Sequence, residues 1–253
     1  MIRRAFCLLL LTCAPILAQR KLLAIFAHPD DETTVGPLLA HYAASAEVYL
    51  AIATNGDKGT QSFAGIPAGP PLAEARAKEA ACACQKLGIH EPILLGLPDG
   101  ELGNRKILDQ LVPKMEKLIR EMQPDVIVTW GPDGGYGHPD HRLVSAVVSQ
   151  VVAEGGVTPL LYYVGLPKSR MTPDIAKALS FLAPFSPTDD KFLNAQVAYT
   201  PIETNKAREA LGCHKSQFTT DSMNQLHAVN QKMNGSAIHL RLWTGGKARE
   251  DLF

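Results

Sequence analysis

The chain has 253 residues, 46% of them hydrophobic and 20% charged, with 25 basic and 25 acidic side chains. That length and apolar content suit one globular domain with a substantial core. A formal net charge of zero and a pI of about 7.1 give no global electrostatic case for nucleic acid or an anionic membrane surface as a partner.

Residues 1–18 read as a targeting segment. Arg3 and Arg4 precede an apolar run, and the small residue Ala18 offers a cleavage point. The run is too short to span a bilayer. The expectation is a Sec-type bacterial signal peptide over 1–18, a secreted or periplasmic product, and no stable membrane anchor after cleavage. Cys13 follows Thr12, a poor residue before a lipidated cysteine, so a lipoprotein is not expected. Residues 19–253 read as a single domain, with a core over 21–165 and a C-terminal addition over 166–253.

Residues 21–27 are apolar enough for a buried strand, and 33–44 have helical composition. A second strand is expected over 47–53. Residues 54–71, rich in glycine and proline, form a long loop, and such loops are often functional. LAEARAKEAACACQKL over 72–87 predicts a helix that stops at Gly88. A short strand follows over 92–96. Residues 104–122 are amphipathic at helical spacing, with Pro113 predicting a kink or break. Strands at 125–130 and 160–164 flank a glycine-rich loop, 131–140, and a helix, 141–153. After 165 the rhythm breaks: 166–192 read as irregular, 196–199 as a short strand, 202–215 as a helix, and the last forty residues are ambiguous. The alternation predicts an α/β fold, a Rossmann-like doubly wound and mostly parallel sheet ordered 3-2-1-4-5, with helices on both faces and a small irregular C-terminal addition. Of the cysteines beyond residue 18, at most one pair can bridge. Cys82 and Cys84 point to different sides of their helix and read as small apolar fillers, with their pairing and that of Cys213 left open.

Two stretches share a design. His28-Pro29-Asp30-Asp31 leaves the first strand, and His138-Pro139-Asp140-His141 follows the strand at 125–130. In each, a ligand-type residue is followed by another three positions on, at a helix start, which puts both on one side of a turn. Proline is acceptable there because its missing N–H had no partner to lose. In the predicted strand order the two stretches meet at the topological switch point. His28, Asp31 and His141 could then hold one divalent metal. Two imidazoles and a carboxylate suit zinc, with a position left for water. A cation would also explain three consecutive acids at the end of a buried strand. His41, His90, His227 and His239 stand alone and read as surface or core residues; His214, in ALGCHKSQ, stays open.

AHPDDE at 27–32 and GGYGHPDH at 134–141 together resemble the PIG-L/LmbE family of zinc-dependent N-acetylglucosaminyl deacetylases. TNGDKG at 54–59, RAKEA at 76–80, LGLPDG at 95–100 and ALGCHKSQ at 210–217 extend the likeness in order over residues 21–217. The resemblance implies that His28, Asp31 and His141 ligate Zn2+, with Fe2+ as another divalent candidate. It implies Asp30 as general base, with His138 facing the developing oxyanion or protonating the leaving amine. Tyr136 would be a loop residue near the oxyanion, Asp140 a group that tunes a histidine, and Arg76 and Asp99 contacts to sugar hydroxyls. Residues 166–195 carry no transferable role. The implied partner is a small molecule or oligosaccharide bearing an N-acetyl amino sugar, deacetylated to acetate and a free amine; the oligomeric state is open. The alternatives are an amidase of another N-acyl substrate and a non-catalytic sugar- or metal-binding protein. A nucleotide-binding protein of similar fold fits less well, because clustered carboxylates would repel phosphate.

Overall fold

A computed structural model describes residues 19–179 and 187–253. The signal segment expected over 1–18 lies outside the described residues. Seven strands are present: Lys21–Phe26 (β1), Glu47–Thr54 (β2), Ile93–Leu97 (β3), Val126–Thr129 (β4), Leu160–Val164 (β5), Ala195–Ala198 (β6) and Ala237–Leu242 (β7). They form one sheet in the order β3-β2-β1-β4-β5-β7-β6. The helices are Gly36–Tyr42 (α1), Pro70–Leu87 (α2), Arg105–Met122 (α3), the single turn Gly134–Gly137 (α4), Pro139–Glu154 (α5), Pro173–Ala178 (α6), Pro201–Leu211 (α7) and Thr220–Asn234 (α8).

Alternate side chains of a strand face opposite sides of its sheet. Leu22, Ala24 and Phe26 of β1 therefore pack with Leu38 and Leu39 of α1 and Ala83 and Leu87 of α2. Leu23 and Ile25 pack with Leu111 and Met115 of α3 and Val144 and Val148 of α5 on the other side. Each such side chain contributes about 1.5–3 kcal/mol by leaving water. A strand covered on both faces reads as a continuous apolar run, which is how KLLAIF announces itself.

β1 lies parallel to β2, with Phe26 opposite Ile52, and parallel to β4, with Ile25 opposite Thr129. Their carboxyl ends are neighbours. The chain leaves β1 toward α1 on one face and leaves β4 toward α5 on the other, so the crevice between them is the switch point.

The parallel part keeps the expected order 3-2-1-4-5. The C-terminal part departs from its irregular reading: β7 runs antiparallel to β5 and β6, so the sheet continues past β5 by two strands. The helix expected over 33–44 divides into a 3-10 turn, Asp31–Thr34, and α1. The helix expected from 141 begins at Pro139. α3 runs through Pro113 without ending, against the expected fault. Both Pro113 and Asp109, whose carbonyl loses its partner, are exposed, so water satisfies that oxygen.

Candidate metal centre and active site

The turn after β1 is built around Asp31. Its Oδ2 accepts the backbone N–H of Ala27 at 3.0 Å, that of His28 at 2.9 Å and the indole N–H of Trp130 at 3.2 Å. Its Oδ1 is left to face His141 Nε2 at 3.2 Å. His141 Nδ1 lies 3.1 Å from the Gly134 carbonyl and donates its proton there, so Nε2 presents a lone pair. The Trp130 ring stacks on His141, centroids 4.5 Å apart. Gly135 makes that stack fit: its φ is +70°, and a Cβ would sit 2.8 Å from the Trp130 ring.

His28 completes the cluster. Its Nε2 faces Asp99 Oδ1 at 3.1 Å and Asp140 Oδ2 at 3.4 Å, and these acceptors hold a proton on Nε2. Its Nδ1 faces His141 Nε2 at 3.0 Å, with Asp31 Oδ2 at 3.7 Å. Two imidazole nitrogens and a carboxylate thus converge. A tetrahedral ion about 2.0–2.2 Å from its ligands spaces them by roughly 3.3–3.6 Å, close to the 3.0 and 3.2 Å on either side of His141 Nε2. Burial opposes charge on His28, yet Asp140, Asp31 and Asp99 hold its pKa well above the ordinary value. Burial would raise Asp31, but His141 and His28 hold it well below. The chemistry of the donor set fits a divalent cation. Among the described residues, the trios that bring one donor atom each within 4.8 Å of one another are His28-His138-His141 and His28-Asp99-Asp140; the first shares His28 and His141 with this set, and the second shares His28. In both, donors are already engaged: His138 Nδ1 accepts the Asp140 N–H at 3.2 Å, and Asp140 Oδ2 accepts the Gly100 N–H at 2.7 Å.

Asp30 stands beside this cluster in a left-handed conformation, φ +110°. That backbone costs about 1–3 kcal/mol outside glycine. It is held by its neighbours: Glu32 Oε2 accepts the Asp30 N–H at 3.0 Å, and Thr33 Oγ1 donates to the Asp30 carbonyl at 2.7 Å. Arg76 Nη2 lies 3.0 Å from Asp30 Oδ2 and also donates to the Pro29 carbonyl. Burial pushes the Asp30 carboxyl up to about 6, against the pull of Arg76.

Arg76 therefore braces Asp30, and it is only 3% exposed. It also donates from Nη1 to the Gly56 carbonyl at 3.1 Å. Gly56 cannot be larger, since at φ +63° its Cβ would lie 2.5 Å from Arg76 Nη1. Asp99 likewise turns inward to His28; against its burial, that contact holds its carboxyl down at about 2. Both still line the open cavity above the cluster, about 540 Å3, with His28, Asp30, Tyr136 and His138.

Asp140 sits beneath His28, bonded to it and to the Gly100 and Leu102 amides, so it orients that ring and does not reach the cavity wall. His138 caps α5 through Nδ1, leaving Nε2–H as its free donor. Burial and the facing His28 and His141 rings lower its pKa, so it is a neutral donor and not the imidazolium a proton donor would be. The Tyr136 ring lies 5.0 Å from that of His141, and burial raises its hydroxyl pKa so that it keeps its proton.

Sequence reasoning missed the layer behind these groups. His214 Nε2 lies 2.6 Å from Glu32 Oε1, and both residues are buried, at 0% and 1% exposure. Glu79 of RAKEA accepts from the Ser216 N–H and hydroxyl, each at 2.7 Å. Gln217 donates to the Gly59 carbonyl at 3.0 Å. The motifs were visible as strings, but nothing local says that they meet. Cys82 and Cys213 form a disulfide, correcting the reading of Cys82 as a filler; a sequence separation of 131 hid the pair. Cys84 is free and buried, as a filler should be.

Fold and site define a class: a Rossmann-like α/β domain with an acid–histidine cluster at the switch point. The family model described as PIG-L, GlcNAc-PI de-N-acetylase, matches residues 23–152, and the chain belongs to that family. It is 35% identical over 178 residues to 1D-myo-inositol 2-acetamido-2-deoxy-alpha-D-glucopyranoside deacetylase of Mycolicibacterium smegmatis. That match covers 60% of this chain and 61% of the relative, less than two thirds of the relative's length. Its fold resembles N,N'-diacetylchitobiose deacetylase from Pyrococcus horikoshii, with a TM-score of 0.64 and 22% identity over 89% of this chain and 84% of that one. It also resembles 4-carboxy-2-hydroxymuconate hydratase from Pseudomonas putida, with a TM-score of 0.62 and 16% identity over 92% and 100%. One fold thus carries different reactions, and the site must decide.

Proposed function

We propose that the chain is a metal-dependent hydrolase that removes the N-acetyl group from an N-acetylglucosamine-containing substrate, releasing acetate and a free amino sugar. The observation that carries this reading is the convergence of His28 Nδ1, Asp31 Oδ1 and His141 Nε2 beside a carboxylate, Asp30, whose pKa is raised to about 6. Zinc or ferrous iron held by those three residues would supply Lewis acidity and bring the pKa of water toward about 7. Asp30 takes the proton of the attacking water, with Arg76 fixing the carboxylate. The His138 Nε2–H and the Tyr136 hydroxyl donate to the carbonyl oxygen as it gains charge; one such donor is worth about 3–4 kcal/mol. Because His138 is neutral, Asp30 returns its proton to the amine nitrogen as the C–N bond breaks. Asp99 and the edge of Arg76 face the sugar.

Export is part of the proposal. The composition of residues 1–18 supports it, as does the Cys82–Cys213 bridge, since disulfides persist in oxidising compartments. The test is acetate release by the purified, zinc-loaded protein from N-acetylglucosamine, N,N'-diacetylchitobiose and N-acetylglucosaminides, with Asp30→Asn as blank. Release that disappears in the variant is expected. No release from any substrate by stoichiometrically metallated protein would reject the reading.

A further inference from the structure

Two cavities meet at the base. The open one, about 540 Å3, offers hydrogen-bonding side chains from Asp99, Gln61 and Gln217, with Phe63 at 50% exposure offering a ring face. The second is smaller, about 90 Å3, and is walled by Trp130, Leu166, Leu179, Leu226, Val229 and Met233. Its polar exceptions are Thr33, Thr34 and Asn230 on the wall and the carboxylates of Asp30 and Asp31 at the metal cluster. Asp30, Tyr136 and Phe218 border both cavities.

An amide attacked beside Asp30 has two arms. Its nitrogen carries the sugar, and its carbonyl carries the acyl chain. The open cavity suits the first arm. The aliphatic chamber does not suit a sugar, because each hydroxyl buried without a partner is costly. It suits a hydrocarbon chain, and it begins where the carbonyl must lie. From this arrangement we infer that the small chamber receives the acyl arm and that the enzyme, besides acetyl, hydrolyses straight-chain N-acyl groups of about four to five carbons, and these more efficiently. The inference rests on the hydrolase reading above and refines its acyl group.

The size follows from proportion. A dry cavity of ~150 Å3 holds the six carbons of benzene, so about 90 Å3 holds about four. Acetyl sends one carbon past the carbonyl, whereas butanoyl and pentanoyl send three and four. Five of the six apolar wall residues, all but Trp130, lie beyond residue 165, outside the stretch matched by the family model. The chamber is thus built by this chain's own C-terminal part, where substrate choice can vary without touching the metal cluster.

The experiment is a chain-length series. Zinc-loaded protein is given glucosamine N-acylated with acetyl, propanoyl, butanoyl, pentanoyl or octanoyl groups, and the free amine is measured. The expected result is a kcat/KM for butanoyl above that for acetyl, by about 10-fold per methylene at the low end for an apolar pocket, and a fall at octanoyl. Turnover of acetyl with butanoyl at or below it overturns the inference and leaves the hydrolase reading intact. No amine from any member rejects the hydrolase reading itself. Val229→Phe puts a ring into the chamber and should lower the butanoyl-to-acetyl ratio at least 10-fold. An unchanged ratio in a variant that melts cooperatively overturns the inference, and the wild-type series decides alone if the variant does not fold.

Discussion

Removing His214 isolates a buried charge. Glu32 is 1% exposed, and its Oε1 lies 2.6 Å from His214 Nε2. In His214→Ala the carboxylate keeps its burial and loses its counter-charge, a situation that costs about 3–5 kcal/mol. A domain of this size shifts its Tm by about 2–4 °C per kcal/mol, so the expected loss is roughly 6–20 °C. The assay is thermal and urea unfolding of His214→Ala, Glu32→Ala and the double variant, in chelator so that metal affinity does not enter. The double variant should be less destabilised than the sum of the singles, because neither partner is left stranded. Coupling below about 0.5 kcal/mol, or a Tm within about 2 °C of wild type for His214→Ala, would refute the reasoning. The pair also has a pH signature. Burial lowers the His214 pKa, but Glu32 outweighs it and the folded value lies above that of the unfolded chain. The pair's contribution is therefore complete below the unfolded histidine value of about 6.5 and is lost as pH rises through the higher folded value. That alkaline decline should be absent in His214→Gln.

Asp30→Asn should keep its metal and lose about 10^2–10^4-fold in kcat, whereas His141→Ala should lose the metal as well; a full metal load in His141→Ala removes that residue from the site. The kcat/KM profile should rise with pH through a limb near 6, because the base must lose a proton from a carboxyl lifted to about 6; a limb at the ordinary aspartate value of about 4 would contradict the burial argument. The Cys82–Cys213 bridge closes a separation of 131 residues, which in the chain-entropy picture contributes about 5 kcal/mol. Reduction should lower Tm by about 10–20 °C and leave the metal content of the folded protein unchanged; a Tm insensitive to reductant would show that the bridge does not restrict the unfolded chain. Gly135→Ala should lower metal affinity, since the added methyl meets the Trp130 ring that stacks on His141; unaltered affinity would free His141 from that support.

The parallel half of the sheet was legible because both of its faces are buried, which makes β1, β2 and β4 nearly unbroken apolar runs. The acid–histidine cluster was legible because His28 with Asp31, and His138 with His141, are close in sequence. What lay beyond reach was whatever joins distant segments. Glu32 reads locally as a helix-start acid, and its partner is 182 positions away. Arg76 looks like one charge among many on α2 until the Pro29 and Gly56 carbonyls are seen beside it. AQVA at β6 was legible as a short strand within a residue of its bounds, but nothing local says that it joins the main sheet through β7. AIHLRL at β7 does alternate apolar and polar residues, the signature of a half-covered strand, and was the readable signal in the ambiguous last forty residues.

The position of His214 between β6 and β7 sets an order of assembly. A chain emerging from the ribosome carries His28, Asp31 and His141 once residue 141 is out, yet the partner of Glu32 arrives some seventy residues later. The strand that holds that region against β5 is later still, at Ala237–Leu242. Glu32, which holds the Asp30 N–H, thus lacks its buried partner until synthesis is nearly finished. The C-terminal strands act as a completion check on the geometry around Asp30.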